Sequence, residues 1–308
     1  MRFIIPTYHR PDYIKTPLFL VEHGVAPKDI TICFQDLEDM RSYDRDLIPT
    51  GCELIINDEA DSAAANRNTG IRAHLGEIVC LMDDDITGLS MRFPAIEQTD
   101  NPAPFRGKGI RCRNVTTQGF WKIMDLWEQL ITDDPSRITT INVTDNSGLL
   151  CRSDWTDRFI DTVTFVSQVF AMTATEDHLF DESYYMAEDI EFGARMIRNG
   201  TPIIRDRAII PATQNRIGNR VIPGGISDVV DRRFEFFERL THEYDDLILW
   251  KNGWNIPRLK VRGRVQPINT DTPVTCNDVM MSRADMGGNE WAWNASEGTQ
   301  EDDWRSQQ

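Results

Sequence analysis

The sequence predicts an α/β fold with an open, mostly parallel, Rossmann-like sheet that is flanked by helices. Short apolar runs rich in β-branched residues alternate with helical patterns in the N-terminal part of the chain, as strands and helices do in such folds. Several of these runs end in polar or charged residues, and the carboxyl ends of strands form the ligand-binding edge of an open α/β sheet. No apolar run approaches the roughly 18 to 20 residues that a membrane helix needs, so we expect no membrane partner.

The composition is that of an ordinary globular protein with a strong acidic excess. The 308 residues include 33 basic and 49 acidic ones, which gives a formal net charge of −16 at pH 7. This charge argues against general binding to DNA or to anionic membranes, and it leaves room for a local basic groove. The six cysteines form no C-x-x-C pair, which suits reduced thiols better than a zinc site or a disulfide framework. Since no signal-peptide pattern follows Met1, we expect a cytoplasmic protein.

The first strands place polar side chains at one edge of the predicted sheet. Residues 3–7 have the pattern of a strand, which puts Thr7 and Arg10 at its carboxyl end. The next predicted strand, Ile30–Phe34, is followed directly by Gln35. Because the carboxyl ends of parallel strands meet at the same edge, these side chains are candidates for one shared pocket.

The sharpest feature is a run of three carboxylates directly after a buried strand. Ile78–Met82 has the length and the β-branched content of such a strand, and Asp83, Asp84 and Asp85 follow it. Three adjacent acids repel one another, so they need water, a cation or a basic partner. At a ligand-binding edge they can hold a hard divalent ion, which in turn can bind a diphosphate. An acidic loop without a ligand is the alternative. Side chains turned away from any cleft, or ion pairs that lock these acids to arginines, would argue against the metal and against any function that depends on it.

Two predicted helices carry further candidate residues. Residues 62–72 have a helical pattern that places Asn66 and Arg67 just upstream of the acidic strand. A later helix holds Glu188 and Asp189 in its first turn, where the helix dipole favours negative charge. A helix start that only caps and solvates these two acids is the structural alternative.

The remaining elements are predicted from weaker patterns. Residues 88–119 lose their periodicity and indicate a long functional loop, in which 105–113 carries four cations and no acid. The other predicted elements are helices at 15–23, 120–131 and 231–250, strands at 54–56, 139–143 and 162–172, an edge strand at 203–210, and a basic mobile loop at 213–220. Residues 251–264 add five cations, and residues 266–308 are predicted to be an acidic tail that is extended or partly disordered.

The order of these elements carries a family resemblance. A leading strand into Pro-Thr-Tyr-x-Arg-Pro, an Asn-Arg-Asn run at 66–68 and the string Leu-Met-Asp-Asp-Asp-Ile at 81–86 together resemble the GT-A-fold glycosyltransferases. In that family the acidic cluster is the D-x-D motif, which holds a divalent metal on the diphosphate of a sugar nucleotide. The chain is most similar to the phage TET-associated glycosyltransferases, a branch implicated in glycosylating hydroxymethylpyrimidines in DNA. The resemblance covers approximately residues 1–265, with a nucleotide-sugar half at about 1–120 and an acceptor half at about 121–265.

The resemblance implies a role for each candidate residue. Asp85 would coordinate Mn²⁺ or Mg²⁺, and Asp83 would bind the metal, its bound water or the ribose. Asp189 would be the general base that deprotonates the acceptor hydroxyl, with Glu188 as the alternative. The nucleotide-sugar donor, expected to be a UDP-sugar, would be bound by Thr7, Arg10, Gln35, Asn66, Arg67, Asp83 and Asp84. The family often takes a histidine ligand from its late region, and 213–220 contains none, which leaves the remaining metal ligand open.

The resemblance also implies the acceptor, a 5-hydroxymethylpyrimidine in phage DNA that would be extruded from the duplex in the host cytoplasm. The cationic segments 105–113, 205–220 and 251–264 fit a local DNA groove, although ion pairs with neighbouring acids explain them equally well. Three alternatives stay open: a transferase of the same fold for a saccharide, lipid-linked glycan or protein, a non-catalytic sugar-nucleotide or nucleic-acid binding module, and a nucleotidyltransferase. No Gly-rich phosphate loop supports the last of these, and the oligomeric state is open.

Overall fold

The computed structural model alternates strands and helices as the sequence predicts. It describes residues 1–57, 62–94, 110–141, 159–161, 164–206, 209–213, 216–217, 220–221, 233–251, 257–260 and 265–267. The strands are β1 (Arg2–Pro6), β2 (Ile30–Phe34), β3 (Glu53–Ile56), β4 (Ile78–Met82), β5 (Ile86–Pro94), β6 (Ile110–Asn114), β7 (Ile138–Ile141), β8 (Phe159–Asp161), β9 (Val169–Thr173), β10 (Ile203–Asp206), β11 (Ile209–Thr213), β12 (Arg216–Ile217), β13 (Arg220–Val221), β14 (Ile248–Leu249), β15 (Arg258–Leu259) and β16 (Val265–Pro267). The α-helices are α1 (Thr16–Glu22), α2 (Leu37–Ser42), α3 (Ala63–Ala73), α4 (Thr117–Asp133), α5 (Glu188–Arg198) and α6 (Arg233–Glu243). Over these described ranges, no helix combines the length and the apolar character needed to cross a membrane.

The large sheet is open and mostly parallel. In the described part of the chain it contains nine strands, in the order β16-β8-β10-β7-β9-β4-β1-β2-β3. Strand β1 pairs in parallel with β2 and β4, β2 with β3, and β7 with β10. Strand β9 is antiparallel to β4 and β7, and β8 is antiparallel to β10 and β16. Seven of these nine described strands therefore run in one direction, and the predicted open, mostly parallel α/β sheet is confirmed.

Both faces of the sheet centre are buried, which explains the unbroken apolar sequences of β1 and β4. On β1, Phe3 and Ile5 pack into one core together with Phe120 of α4. Ile4 packs into a second core, which also contains Phe192 of α5. Side chains alternate between the two faces of a strand, so helices must cover both faces of β1. The polar carboxyl ends of the strands are then the edge that remains open to a ligand.

Helix α3 lies against β1 and β2 at a glycine. A Cβ added to Gly70 would stand 2.4 Å from Ile4 Cγ2 and 2.8 Å from Cys33 Sγ, distances that real Cβ atoms essentially never show. The helix begins after Ser62, whose Oγ accepts a hydrogen bond from Ala65 N at 3.1 Å. An N-cap serine of this kind stabilises a helix by about 1 kcal/mol. The cap and the close approach together set where α3 lies on the sheet, and α3 carries two of the predicted site residues.

Two predictions for the later part of the chain are wrong. The loop predicted at 88–119 contains β5 and β6, which form a three-stranded antiparallel sheet with β11 within the described residues; 95–109 lie outside them. Residues 203–210 do not form one edge strand, because β10 lies between β7 and β8 and β11 belongs to the small sheet. In both cases the pairing partners are distant in sequence, and local periodicity carries no information about them.

Two further elements are shorter than predicted. The strand predicted at 162–172 is reduced to β9, and the helix predicted at 231–250 is reduced to α6. Helix α6 ends near Tyr244, whose carbonyl accepts hydrogen bonds from Leu247 N at 2.9 Å and Ile248 N at 2.7 Å. This turn directs the chain into β14, which pairs with β15.

Several predicted segments lie outside the described residues in whole or in part. The basic loop predicted at 213–220 is described partly by β12 and β13, which pair with each other. Residues 252–256 and 261–264 of the late cationic segment are not described. Strand β16 pairs with β8, so the described sheet reaches residue 267. The rest of the tail predicted from 266 lies outside the described residues.

Candidate active site

A cleft opens at the carboxyl ends of β1 and β4, where the sequence predicts the ligand-binding edge. It has a volume of about 160 Å³ and is lined by Pro6, Thr7, Tyr8, Arg10, Ala63, Asn66, Arg67, Asp83, Asp84 and Glu188. Three predicted site residues, Gln35, Asp85 and Asp189, are not among these lining residues. A larger hollow of about 540 Å³ lies beside α6 and is lined by Glu238, Thr241, His242, Asp245 and Trp250. None of the predicted site residues lines that hollow, so the smaller cleft is the candidate active site.

The acidic turn after β4 is held by the start of helix α1. The backbone N–H groups of Lys15 and Thr16 donate to the Asp84 carbonyl at 2.8 and 3.1 Å. The Thr16 hydroxyl accepts from Ile86 N at 2.9 Å, and Asp83 N donates to the carbonyl of Gln168 at 2.9 Å. The backbone of the turn is therefore fixed from two sides, which presents its carboxylates in a defined arrangement.

Asp84 is anchored by hydrogen bonds. The Thr7 hydroxyl donates to Asp84 Oδ2 at 2.7 Å and lies 2.6 Å from the Tyr43 hydroxyl. The Tyr43 oxygen in turn accepts from the backbone N–H of Arg10 at 3.0 Å. Burial raises the pKa of Asp84, and the Arg10 guanidinium and the Thr7 hydroxyl oppose this rise. Asp84 is thus held in place by its neighbours, and its contact with a nucleotide-sugar donor stays a prediction. Tyr43 was missed because nothing in its local sequence connects it to Thr7.

Asp85 is buried, and its ion-pair partner Arg10 is shared with Asp84. The residue is 4% exposed, and its Oδ2 lies 3.6 Å from Arg10 Nη1, which is also 3.4 Å from Asp84 Oδ1. Its other oxygen, Oδ1, is buried and accepts no hydrogen bond from any described residue. Burial raises the pKa of Asp85 to about 7; Asp83 and Asp84 add to the rise, and Arg10 opposes it. A carboxylate in this position is a candidate ligand for a cation.

Arg67 connects the two acidic elements of the sequence. Its Nη2 donates to Asp83 Oδ1 at 3.0 Å, and its Nη1 donates to the Glu188 carboxylate. The guanidinium also lies over the Phe180 ring, 5.5 Å from its centroid. Although burial opposes it, the pKa of Arg67 is raised by Glu188, Asp83 and Asp189. The side chain therefore stays charged and holds the end of β4 against the start of α5.

The carboxylates beside Arg67 differ in exposure. Burial raises the pKa of Asp83 to about 6 against the effect of Arg67, yet the side chain remains 29% exposed. Glu188 is 7% exposed and paired with Arg67. Asp189 is half-buried and accepts a hydrogen bond from Ile190 N at 2.9 Å. Burial, followed by the charge of Glu188, raises the pKa of Asp189 to about 7, while Arg67 opposes the rise.

Asn68 is a brace between α3 and the segment before α5. Its Nδ2 donates to the Phe180 carbonyl at 2.9 Å and to Glu182 Oε1 at 2.7 Å, and its Oδ1 accepts from Phe180 N at 2.7 Å. Tyr8 makes a second link, since its hydroxyl lies 3.2 Å from that of Tyr185. The contribution of Phe180 and Tyr185 could not be found in the sequence, because each acts through a contact with a residue far away in the chain.

The two arginines do not neutralise the acids in and beside the cleft. Among the described residues, the carboxylates at 83, 84, 85 and 188 pair with Arg10 or Arg67, and the charge of Asp189 acts on Arg67, so five carboxylates meet two guanidinium groups and three negative charges are in excess when all are ionised. The ion pairs that would argue against a metal are thus present but incomplete. Across the described ranges, no group of three or more His, Cys, Asp or Glu side chains could hold a metal ion. The residues fit a cation only if other ligands complete its shell.

We expect Arg67→Met to destabilise the folded protein by about 3 kcal/mol, because it leaves Asp83 and Glu188 as unpaired, largely buried charges. The double variant Arg67→Met/Glu188→Gln should recover part of this loss, since one of the two charges is then absent. Urea denaturation monitored by circular dichroism measures both. The matched control is Arg72→Met on the same helix, which breaks an exposed pair with Glu182 at 3.3 Å and should cost less than about 1 kcal/mol. Equal losses for the two single variants would show that the bridge contributes no more than a surface pair.

Comparisons with known proteins give distant structural similarity. No protein-family model matches the chain, and no curated protein sequence matches it. The solved structures similar to it include S. aureus TarS 1-349 in complex with UDP, at 15% identity and a TM-score of 0.40, with 67% of this chain and 57% of that chain covered. The mannosyltransferase PcManGT from Pyrobaculum calidifontis in complex with GDP-Man and Mn²⁺ is 15% identical at a TM-score of 0.45, with coverages of 71% and 57%.

A third similar structure is glucosyl-3-phosphoglycerate synthase from Mycobacterium tuberculosis in complex with Mn²⁺, UDP-Glc and phosphoglyceric acid. It is 11% identical at a TM-score of 0.45, with 85% of this chain and 88% of that chain covered. The chain spans a little over half of the TarS and PcManGT chains that it matches. Similarity of this size does not transfer an activity, so the chemistry of this chain depends on its own side chains.

Proposed function

We propose that the chain is a metal-dependent glycosyltransferase with the GT-A fold, which transfers a sugar from a nucleotide-sugar donor to an acceptor hydroxyl. The observation that carries the proposal is the excess of carboxylate charge in and directly beside a cleft at the carboxyl ends of parallel strands. Asp85 Oδ1, buried without a hydrogen-bond donor among the described residues, is the clearest part of it. A nucleotide diphosphate would add more negative charge to the same place, so a divalent cation would favour its binding.

The carboxylates suit Mn²⁺ or Mg²⁺ with Asp85 and Asp83 as the protein ligands. A Mg²⁺ ion is usually bound by one or two carboxylates together with substrate phosphates and waters. A site with fewer than three protein ligands is therefore what a metal on a diphosphate needs. When bound, the cation would neutralise the leaving diphosphate and act as a Lewis acid.

The remaining cleft residues would bind and orient the donor. Arg10 and Arg67 present guanidinium groups, which suit phosphate oxygens. Thr7 and Asn66 lie beside them on the cleft wall. Gln35, which is 7% exposed and does not line the cleft, remains a prediction as a donor contact. The donor is proposed to be a UDP-sugar.

Asp189 is the better candidate for the general base. Glu188 is held by Arg67 and is nearly buried, whereas Asp189 is half-buried and makes its described hydrogen bond to the backbone. A pKa raised to about 7 keeps Asp189 able to accept a proton near neutral pH. Asp189 lies in the first turn of α5, next to Glu188, and the Arg67 bridge from Glu188 to Asp83 holds this turn near the end of β4.

The proposed acceptor is the hydroxyl of a 5-hydroxymethylpyrimidine in phage DNA. It is supported by the family resemblance and by the cationic segments, of which Arg111 and Arg113 fall on β6. Strand β6 pairs with β5, and β5 begins directly after the acidic turn at Ile86. A saccharide or protein acceptor, or a non-catalytic binding module, is the alternative. Stimulation of donor hydrolysis by Mn²⁺ without an acceptor would favour an enzyme.

We expect Asp85→Asn to weaken Mn²⁺-dependent binding of UDP by at least about 10-fold, because one of the two metal ligands loses its charge. The variant should be as stable as the wild type or more stable at pH 7, since an ionised Asp85 is unfavourable in the fold, as its raised pKa indicates. Isothermal titration calorimetry with UDP and Mn²⁺ measures the first effect, and thermal melts measure the second. Asp125→Asn, an exposed acid on α4, is the matched control. Wild-type UDP affinity in the Asp85 variant would exclude this residue as the metal ligand.

We expect Asp189→Asn to slow sugar transfer by about 10²- to 10⁴-fold while UDP binding is kept, because the acceptor hydroxyl loses its base. The rate of the wild type should rise with pH through about 7, as Asp189 must be ionised to accept the proton. Initial rates from pH 5.5 to 8.5 with a radiolabelled donor measure both effects. Glu188→Gln is the comparison, and a larger loss of rate in that variant would move the role of base to Glu188.

We expect the protein to shift a hydroxymethylated DNA duplex in a gel at low salt and to add the mass of a sugar to it. Raising the salt concentration should weaken the shift, because phosphate contacts release counterions. A duplex with unmodified pyrimidines is the control for glycosylation, since it lacks the acceptor hydroxyl. Failure to bind either duplex at low salt would exclude DNA as the acceptor and leave the saccharide and protein alternatives.

A further inference from the structure

One residue of the cleft wall has a buried acceptor oxygen that no described residue satisfies. Asn66 is 0% exposed, and its Nδ2 donates to the Thr7 carbonyl at 2.7 Å. Its Oδ1 is buried and accepts no hydrogen bond from any residue in the described ranges. Exchanging the two amide positions would set two carbonyl oxygens against each other at that distance, so the hydrogen bond to Thr7 fixes Oδ1 as the amide atom that is left without a partner.

The neighbouring donors of the protein are used elsewhere. The Thr7 hydroxyl donates to Asp84 Oδ2, and the Nη atoms of Arg67 donate to Asp83 and Glu188. Leaving a buried acceptor without a partner costs about 1–3 kcal/mol. An Asn side chain that lines a cleft and carries such a cost is a site for a hydrogen-bond donor from outside the chain.

We propose that Asn66 Oδ1 accepts a hydrogen bond from the nucleoside part of the donor, from a ribose hydroxyl or from the imino N–H of the base. This inference rests on the proposed function. The diphosphate does not bind there, because ionised phosphate oxygens are acceptors like the amide oxygen, and two acceptors repel each other. The two parts of the donor therefore bind at different groups. The nucleoside lies at the Asn66 amide, and the diphosphate lies at the guanidinium groups and the cation.

The role of Asn66 also gives the site a selectivity. A site built to hydrogen-bond an O–H or N–H group rejects an analogue that lacks this group, since its own buried atom is then left unpaired. A nucleotide without the matching donor group should bind weakly even though its diphosphate is intact. This effect separates the proposed contact from general electrostatic attraction of the diphosphate.

The test compares ligands and variants in one calorimetric cycle with Mn²⁺ present. The ligands are UDP or GDP, whichever binds the wild type more tightly, its 2′,3′-dideoxy analogue, its analogue methylated on the imino nitrogen, and inorganic pyrophosphate. We expect one of the two analogues to bind the wild type at least about 10-fold more weakly than the parent nucleotide. The dideoxy analogue reports a ribose contact, and the methylated analogue reports a base contact.

The variant Asn66→Leu, which is similar in size, should bind the parent nucleotide at least about 10-fold more weakly and should not distinguish it further from that analogue. Its affinity for pyrophosphate should stay within about 2-fold of the wild-type value. Thr69→Val on the same helix is the matched control, because the Thr69 hydroxyl donates to the Ala65 carbonyl within α3. This control should leave all affinities unchanged.

Three results would overturn the inference. If both analogues bind the wild type as tightly as the parent nucleotide, Asn66 makes no contact with the nucleoside and an ordered water satisfies it. This comparison uses the wild type only, so it tests the inference even if Asn66→Leu does not fold. If Asn66→Leu loses pyrophosphate as strongly as the nucleotide, the residue only supports the fold of the cleft. If neither UDP nor GDP binds the wild type, the proposed function itself fails and the inference fails with it.

Discussion

The guanidinium of Arg67 is the interaction on which the candidate site depends. It joins Asp83 at the end of β4 to Glu188 at the start of α5, across a separation of 121 residues between Arg67 and Glu188. A buried charge of this kind is tolerated only when it is paired and hydrogen-bonded. Helix α3, the acidic turn and α5 are therefore held together at one side of the cleft by this side chain.

The carboxylates around this bridge have different surroundings and hence different capacities. Asp84 is anchored by Thr7, while Asp85 keeps an oxygen that no described residue satisfies. Asp189 is half-buried, with a pKa raised to about 7. Burial and hydrogen bonding thus give these chemically similar groups different partners and different pKa values, which is the basis of the different roles proposed for them.

The strands in the N-terminal half of the sheet were predictable because each can be recognised from its own residues. Ile30–Phe34 and Ile78–Met82 have the bounds that the sequence predicts, since a strand buried on both faces is an unbroken apolar run. Strands β5, β6 and β11 were not predictable, because their small sheet forms between residues far apart in the chain. Pairing of this kind depends on tertiary contacts that periodicity does not contain.

The candidate site shows the same difference between local sequence patterns, which are predictable, and contacts between distant residues, which are not. The sequence identifies the acids at 83–85 and at 188–189 and the arginine at 67, because their residue types and neighbours are informative. It does not reveal that Arg67 binds both acidic elements or that Tyr43 supports Thr7, since these contacts exist only after the chain has folded. The resemblance alone left two candidates for the general base. The structure distinguishes them, because Glu188 is paired with Arg67 and Asp189 is only half-buried.

The missing side chain of Gly70 has a consequence for how this cleft can vary. Gly70 lies one turn of α3 beyond Asn66 and Arg67, on the side of the helix that touches Ile4 and Cys33. Any added carbon there would lift the helix away from the sheet and carry both polar groups with it. The tolerance of the pocket is thus limited by a hydrogen atom one turn further along the same face of the helix, at a residue that does not itself line the cleft. Redesign of donor preference at Asn66 would have to leave this contact untouched.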